Sequence, residues 1–302
     1  MSNSNALTAL KEKLALLKRI PLAIGERMVS VLQRIEPKGR VPRDSYLPEI
    51  MHISRDMRNN RSIYDGYVRG WGIQFGELKN RVRQDPLYQQ ALGLARGRTI
   101  ITEENRINLF LLAKFYLGKI PSGHIVEFGS YKGGNAIFLA YIVNKLYPGV
   151  KVYALDTFAG MPQTDSKIDA HKEGDFSDVD LNELRSYVAK KGITNLHFVK
   201  GLFHDTAPNV LKDVKQVALA HIDCDIYSAV AYSYDVVKEY MVPGGYIVFD
   251  DATVSSCLGA TDAVETLVIR RDGLSSEQIY PQYVFRAFFQ RASADKNAAD
   301  HT

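Results

Sequence analysis

Short apolar runs recur at even intervals through the second half of the chain. They cover residues 124–128, 150–155, 196–199, 217–222, 246–249 and 283–288. A helix capped by Thr102 and reaching about residue 117 is predicted before the first run. Further helical stretches are predicted at residues 134–146, 180–191, 227–240 and 259–270. Strand and helix alternating in this way predict an α/β fold, in which helices cover both faces of a mainly parallel sheet. Ligands of such sheets bind at the carboxyl ends of the strands.

The two ends of the chain have other patterns. Residues 1–43 place leucines at helical spacing among nine Lys or Arg and three acidic residues, although the whole chain carries a net charge of only +4. Because the segment up to residue 100 is also helical in character, we predict a helical N-terminal extension over residues 1–100 and an α/β domain over residues 101–291. Residues 292–302 are small and polar, which predicts a disordered tail.

Composition limits the class of protein and its partners. With 46% hydrophobic and 24% charged residues and no apolar run of about 18 residues, we expect a globular, cytoplasmic protein. Its charge is too modest to indicate a nucleic-acid partner. The basic extension is expected to pack on the core, on a second copy in a homo-oligomer, or peripherally on the inner face of a membrane. Cys224 and Cys257 are expected to be free thiols.

Acidic side chains follow two apolar runs that are expected to be neighbouring strands. Asp223 and Asp225 come directly after residues 217–222, and the pair Asp250-Asp251 follows residues 246–249. Such acids can simply cap a loop or form ion pairs. Gathered at one edge of a sheet, however, their oxygens suit a hard cation such as Mg²⁺ or Ca²⁺ better than zinc. The pattern therefore predicts a divalent-metal site.

A glycine-rich turn follows the first apolar run and reads E-F-G-S-Y-K-G-G-N from Glu127 to Asn135. Its glycines permit a tight turn close to a ligand, and the helix that begins near Gly134 is expected to offer free N–H groups. The spacing differs from the G-x-G-x-x-G of dinucleotide sites. It resembles instead the first motif of S-adenosylmethionine-dependent methyltransferases. Asp156, at the end of the second run, is then predicted to accept the hydroxyls of a ribose.

Five further blocks occur in one order along the chain. They are D-T-F-A-G-M-P at 156–162, G-D-F at 174–176, K-G-L-F-H-D-T at 200–206, I-D-C-D-I-Y-S at 222–228, and P-G-G-Y at 243–246 followed by Asp250-Asp251. Over about residues 100–288 this order resembles the macrocin O-methyltransferase family, which methylates sugar hydroxyls of antibiotics. The resemblance implies a Rossmann-like, seven-stranded class I methyltransferase sheet with a helical N-terminal extension. It also implies S-adenosylmethionine and Mg²⁺, or another hard divalent cation, as cofactors.

The resemblance also assigns roles by position. The cofactor contacts would be Glu127, Phe128, Gly129, Ser130, Tyr131, Gly134, Asn135, Asp156, Thr157, Phe158, Asp175, Phe176 and Asp223. The metal ligands would be Asp223, Asp250 and Asp251. Asp225 occupies the position of the family's proposed general base. Asp223 and His204 complete the predicted catalytic set. Cys224 stands where the family commonly has Gly or Ala, and the first hundred residues carry no match.

The resulting hypothesis is a metal-dependent O-methyltransferase acting on a glycosyl hydroxyl of a natural product, a surface polysaccharide or a glycolipid. Its acceptor would be a small molecule or glycan with vicinal hydroxyls. A catechol-like acceptor stays open, because a vicinal diol is all that the metal requires. A noncatalytic glycan-binding protein on the same fold is the alternative from another class. It would be expected to lack the acids or to have a damaged glycine loop, and neither is seen.

Overall fold

A six-stranded sheet runs through the part of the chain that the computed structural model describes, which is residues 77–254, 256–276 and 282–287. The strands are β1 (His124–Phe128), β2 (Val152–Asp156), β3 (Leu196–Lys200), β4 (Val217–Ile222), β5 (Met241–Phe249) and β6 (Tyr283–Arg286). Their order is β3-β2-β1-β4-β5-β6, and all neighbours are parallel except β5 and β6. The predicted α/β fold with a mainly parallel sheet is confirmed.

The number of strands differs from the expected seven. Beyond β6, a single antiparallel bridge joins Ser276 to Phe285. Residues 277–281 lie outside the described residues. The sheet is therefore six-stranded within the described ranges, and the seventh strand stays a prediction.

Eight α-helices connect or flank these strands within the same ranges. They are α1 (Glu77–Gln84), α2 (Pro86–Ala95), α3 (Glu103–Leu111), α4 (Gly134–Leu146), α5 (Leu181–Lys190), α6 (Phe203–Val214), α7 (Tyr227–Val237) and α8 (Leu258–Ala263). A π-helical turn, Leu112–Tyr116, extends α3, and another, Val264–Arg271, extends α8. Thr102 caps α3 as predicted, since its hydroxyl accepts the N–H of Asn105 at 3.2 Å.

The core has one layer on each face of the sheet. Successive strand residues alternate between the two, so that Ile125 packs on one face and Val126 on the other. The first face is covered by α2 to α5 and the second by α6 to α8. Tyr88 of α2 is fully buried, with its ring edge-on to Phe110 and Phe138. The last part of the predicted N-terminal extension thus packs on the α/β core.

Residues 1–76, which include the amphipathic segment, and the predicted tail at 292–302 lie outside the described residues. The oligomer contact and the membrane contact therefore stay predictions, and so does the domain boundary at residue 100. None of the helices in the described ranges is long and apolar enough to cross a bilayer.

The chain order of the strands reverses direction between β1 and β4. Strands β1, β2 and β3 proceed towards one edge, and β4, β5 and β6 towards the other. The turns after β1 and β4 therefore diverge and leave a crevice at their carboxyl ends, which is where open α/β sheets bind ligands.

Candidate active site

A cavity of about 690 Å³ opens at this crevice. The predicted site residues that line it are Gly129, Ser130, Tyr131, Asn135, Asp156, Thr157, Phe176, His204, Asp223, Asp225, Asp250 and Asp251. The predicted residues outside its lining are Glu127, Phe128, Gly134, Phe158 and Asp175. The structure thus brings the glycine loop and all four acids to one cavity.

Gly129 lets the loop after β1 approach the end of β4. Its φ is +85°, and a Cβ added there would lie 1.7 Å from the carbonyl oxygen of Asp223. Only glycine tolerates both conditions. The close approach is therefore to the protein's own backbone, and it brings the loop beside the first of the acids.

Gly134 differs from the expectation that the start of α4 offers free N–H groups. Its N–H donates to the carbonyl of Arg98 at 3.0 Å, and an added Cβ would lie 2.5 Å from that oxygen. Because Gly134 has no side chain, the segment before α3 can pack against the start of α4. Gly134 does not line the cavity. The free N–H prediction is wrong at this position because a backbone carbonyl already uses it.

Asp156 organises the glycine loop. Its Oδ2 accepts the N–H groups of Ser130 and Tyr131, both at 2.8 Å, and its Oδ1 accepts that of Phe158 at 2.6 Å. Burial raises the pKa of the carboxyl, although these hydrogen bonds oppose the shift. Most of the acceptor capacity predicted for a ribose is therefore already used, and the ribose contact stays a prediction.

Glu127 and His221 form a buried ion pair behind the cavity. They are opposite each other in the β1–β4 pairing, and His221 Nδ1 lies 3.1 Å from Glu127 Oε1. The other nitrogen, Nε2, lies 3.2 Å from Asp250 Oδ1. Burial of the ring opposes protonation, but the hydrogen bonds to Asp250 and Glu127 outweigh it and raise the pKa of His221 to about 9.

Glu127 also orients two residues of the cavity wall. It accepts hydrogen bonds from the Ser130 hydroxyl at 2.7 Å and from Asn135 Nδ2 at 2.6 Å. Phe128 and Phe158, in contrast, belong to the apolar core layers. The predicted cofactor contacts of these three residues remain predictions, and the geometry gives Glu127 a positioning role.

Asp250 is the most firmly held of the four acids. Besides His221, it accepts hydrogen bonds from Asn105 Nδ2 at 2.8 Å and Gln282 Nε2 at 2.5 Å. Asn105 comes from α3 and Gln282 from the residue before β6, and both are buried. Neither was found from the sequence, since no local pattern links those segments to the end of β5.

The other acids lie close to one another, and their charged forms repel. Burial, followed by repulsion from neighbouring carboxylates, raises the pKa values of Asp223 and Asp251 well above their ordinary range. Asp225 adopts a left-handed backbone, with a φ of +60°, and its N–H donates to Asp251 Oδ2 at 2.9 Å. Burial raises the pKa of Asp225, and the nearby His171 opposes that shift.

These acids fit a hard divalent cation. A charge of +2 would relieve the repulsion that raises their pKa values, and carboxylate oxygens suit Mg²⁺ or Ca²⁺. Among the described residues, His221, Asp223 and Asp250 bring ligand atoms within 4.8 Å of one another, as do His171, Asp225 and Cys257. The predicted trio with Asp251 is not one of these groups. Because both nitrogens of His221 already pair with carboxylates, we expect it to orient Asp250 rather than bind a cation.

The segment between β2 and α5, residues 157–180, contributes residues that were not predicted from the sequence. Asp169 is buried and accepts the N–H of Tyr227 at 2.9 Å, which anchors the segment to the start of α7. His171 lines the cavity, with Nδ1 3.3 Å from Asp175 Oδ2 and Nε2 3.5 Å from Asp225 Oδ1. Asp175, predicted as a cofactor contact, supports His171, and its contact with a cofactor stays a prediction.

His204 and the two cysteines complete the predicted residues. His204 lines the cavity, but its side chain is 61% exposed and pairs with Asp205 at 3.1 Å. Cys224 and Cys257 are free thiols, as predicted, and both are buried. Both line the cavity, so that neither thiol is merely part of the apolar core.

Residues 100–268 match the family described as macrocin O-methyltransferase (TylF), which is more than half of the chain. The chain belongs to the macrocin O-methyltransferase family. The resemblance found in the sequence blocks is thus confirmed. Membership in this family agrees with the class I methyltransferase fold of the sheet and with the position of the glycine loop.

Two curated relatives of this macrocin O-methyltransferase family protein are each 25% identical to it. The 8-demethyl-8-(2,3-dimethoxy-alpha-L-rhamnosyl)-tetracenomycin-C 4'-O-methyltransferase of Streptomyces olivaceus aligns over 54% of this chain and 66% of its own length. The mycinamicin III 3''-O-methyltransferase of Micromonospora griseorubida aligns over 51% of this chain and 63% of its own length. The chain thus spans slightly less than two thirds of these relatives.

A solved structure is similar in fold. The O-methyltransferase NovP superimposes with a TM-score of 0.56 at 21% identity, over 70% of this chain and 95% of that chain. At this identity the likeness concerns the fold alone.

Proposed function

We propose that this protein is an S-adenosylmethionine-dependent O-methyltransferase that uses a divalent cation to methylate a hydroxyl of a glycosyl group. The observation that carries the proposal is the cavity in which the glycine loop after β1 faces Asp223, Asp225, Asp250 and Asp251. The family and the sugar O-methyltransferases among its relatives support the substrate class.

The glycine loop forms the proposed methyl-donor side. Ser130 and Asn135, both held by Glu127, line this part of the cavity. Tyr131 and Phe176 also line it and contact each other edge to face, with ring centroids 5.4 Å apart. We assign these rings to the adenine, because a flat apolar base suits an aromatic wall. When bound, S-adenosylmethionine supplies an electrophilic methyl group on a positively charged sulfur.

The acids form the proposed acceptor side. Asp223, Asp250 and Asp251 would hold the cation, which when bound supplies Lewis acidity that lowers the pKa of an acceptor hydroxyl. Asn105, His221 and Gln282 keep the Asp250 carboxylate in place. Asp225 then accepts the hydroxyl proton. Its raised pKa brings it closer to neutral pH, which favours a general base.

Methyl transfer from labelled S-adenosylmethionine to a panel of rhamnosides, other glycosides and catechols tests the proposal. We expect transfer to a glycoside with vicinal hydroxyls, a loss of about 100-fold or more after chelation, and recovery with Mg²⁺, because several kcal/mol of the barrier depend on the cation. Calorimetry with the cofactor is run beside it. If the protein failed to bind S-adenosylmethionine, the proposal would be refuted. Methyl transfer to catechols alone would change the substrate class.

Removing the hydrogen bond from Asn105 to Asp250 should weaken Mg²⁺ binding. In Asn105→Leu we expect Mg²⁺ affinity to fall about 10- to 100-fold, since groups that orient metal ligands have effects of this size. The readout is the Mg²⁺ concentration that gives half-maximal transfer. The matched control is Asn195→Leu, a buried amide that donates to the carbonyls of Ala140 and Val150 instead. Equal Mg²⁺ requirements in the two variants would contradict the role of Asn105.

A further inference from the structure

Three different ligand types meet on the wall of the cavity beside the proposed general base. Cys257 Sγ lies 3.4 Å from Asp225 Oδ1 and 3.7 Å from His171 Nε2. His171 Nε2 lies 3.5 Å from Asp225 Oδ1. The three residues come from the segment between β2 and α5, the turn after β4, and the residue before α8. Parts of the chain that are distant in sequence thus converge at one point.

The spacing of these atoms matches the edges of a tetrahedral zinc site. Zinc bonds of about 2.3 Å to sulfur and about 2.0–2.1 Å to nitrogen or oxygen, at tetrahedral angles, place the ligands apart by about 3.5 Å (S to O), 3.6 Å (S to N) and 3.3 Å (N to O). The three observed separations each lie within about 0.2 Å of these values. The three ligand atoms therefore already have separations close to those that a bound zinc ion requires.

We propose that His171, Asp225 and Cys257 form a second metal site, which takes Zn²⁺ or a similar borderline cation and leaves one coordination position open to the cavity. Three protein ligands with an open fourth position are usual for zinc that stays accessible to solvent or substrate. The thiol and imidazole distinguish this site from the acid cluster, because Mg²⁺ and Ca²⁺ prefer oxygen ligands alone.

Neighbouring groups hold two of the ligands in position. Asp175 Oδ2 lies 3.3 Å from His171 Nδ1, which turns Nε2 towards the site. Asp251 accepts the N–H of Asp225 at 2.9 Å and fixes its turn. Carboxylate partners behind a histidine ligand are typical of zinc sites. When the metal–sulfur bond forms, the Cys257 thiol releases its proton to solvent, and no oxidant or reductant is required.

Zinc at this site would engage the carboxylate of the proposed base. Asp225 could then no longer accept a proton, so zinc should inhibit methyl transfer. This consequence rests on the proposed function, whereas binding of the metal does not. Metal binding at this site and the proposed methyl transfer can therefore be tested, and refuted, separately.

Titration of the full-length protein with Co²⁺, in the presence of excess Mg²⁺ and without S-adenosylmethionine, tests the site. Excess Mg²⁺ occupies the acid cluster, so that Co²⁺ reports on the softer ligands. We expect a saturable near-ultraviolet cobalt–thiolate band at one Co²⁺ per chain, which stoichiometric Zn²⁺ removes. Absence of this band in the wild-type protein would overturn the proposal.

Variants identify the ligands. Cys257→Ser should abolish the band, whereas Cys224→Ser, which changes the other buried thiol, should keep it. His171→Gln should weaken Co²⁺ binding at least about tenfold. Circular dichroism checks folding, and if Cys257→Ser does not fold, the His171→Gln result decides. If the band survived in Cys257→Ser, or if the Co²⁺ affinity were unchanged in His171→Gln, the proposal would be overturned. The three residues would then be joined by hydrogen bonds alone.

Discussion

Asp225→Asn should lower kcat for methyl transfer by about 10²- to 10⁴-fold, which is the range for loss of a general base. The amide has nearly the same shape but cannot take up the proton. The backbone N–H that Asp225 donates to Asp251 is retained, so the turn after β4 should keep its conformation. The measurement is kcat at saturating acceptor and cofactor, with Mg²⁺ present and trace zinc removed.

The same substitution at an exposed aspartate provides the control. Asp213 lies at the end of α6 outside the cavity lining, and Asp213→Asn should leave kcat unchanged. Affinity for S-adenosylmethionine should stay within about twofold in Asp225→Asn, because a base acts on the chemical step and not on uniform binding. If Asp225→Asn kept kcat within about tenfold of wild type, the proton would have to go to another group, and His171 would be the first to test.

Gly129→Ala should lower the free energy of unfolding by about 4 kcal/mol. A left-handed φ in a non-glycine residue costs about 1–3 kcal/mol, and the forced displacement of a packed neighbour adds about 1–3 kcal/mol. Here that neighbour is the backbone carbonyl of Asp223, which cannot rotate away as a side chain can. Urea unfolding followed by circular dichroism measures the change.

Gly174 separates the two contributions. Its φ of +87° is close to the +85° of Gly129, but nothing lies within 4 Å of an added Cβ. Gly174→Ala should therefore show only the backbone strain, about 1–3 kcal/mol. If both variants lost the same free energy of unfolding, the loop after β1 would have to shift to accommodate the added methyl group. Its approach to Asp223 would then not be rigid.

Strands β1 and β4 could be predicted well because both are buried on both faces. A fully buried parallel strand is a short apolar run, and residues 124–128 and 217–222 coincide with β1 and β4 at both ends. Gly133 and Gly134 mark the start of α4, so the first residue of that helix could be predicted as well. The gathering of Asp223, Asp225, Asp250 and Asp251 followed from the expected adjacency of β4 and β5.

Helix α6 was not predicted, for a local reason. Pro208 lies inside it and lacks the N–H of a helical residue. The helix forms nonetheless, since Ala207, Leu211 and Val214 bury one face against the sheet. Here tertiary packing outweighs the local preference against a helix.

The remaining site residues could not be predicted, because long-range placement alone gives them their roles. Asn105, His171 and Gln282 stand in segments without a strand-end signal. The β1–β4 register makes Glu127 and His221 partners, and this pairing was available in principle from the two strands. Sequence patterns therefore identified the acids and the loop, but not the groups that hold them.

Asp169 couples the segment between β2 and α5 to the turns that carry the acids. Its Oδ1 accepts the N–H of Tyr227, and a Cβ at Gly259 would lie 2.0 Å from that oxygen. One carboxylate thus joins the segment that carries His171, the start of α7 after Asp225, and the start of α8 after Cys257. Moving any one of these three stretches away from the others disrupts the packing around the Asp169 carboxylate. We therefore expect these three stretches to open together in hydrogen exchange, so that admission of a bulky ligand and loosening of the acid cluster would be one event.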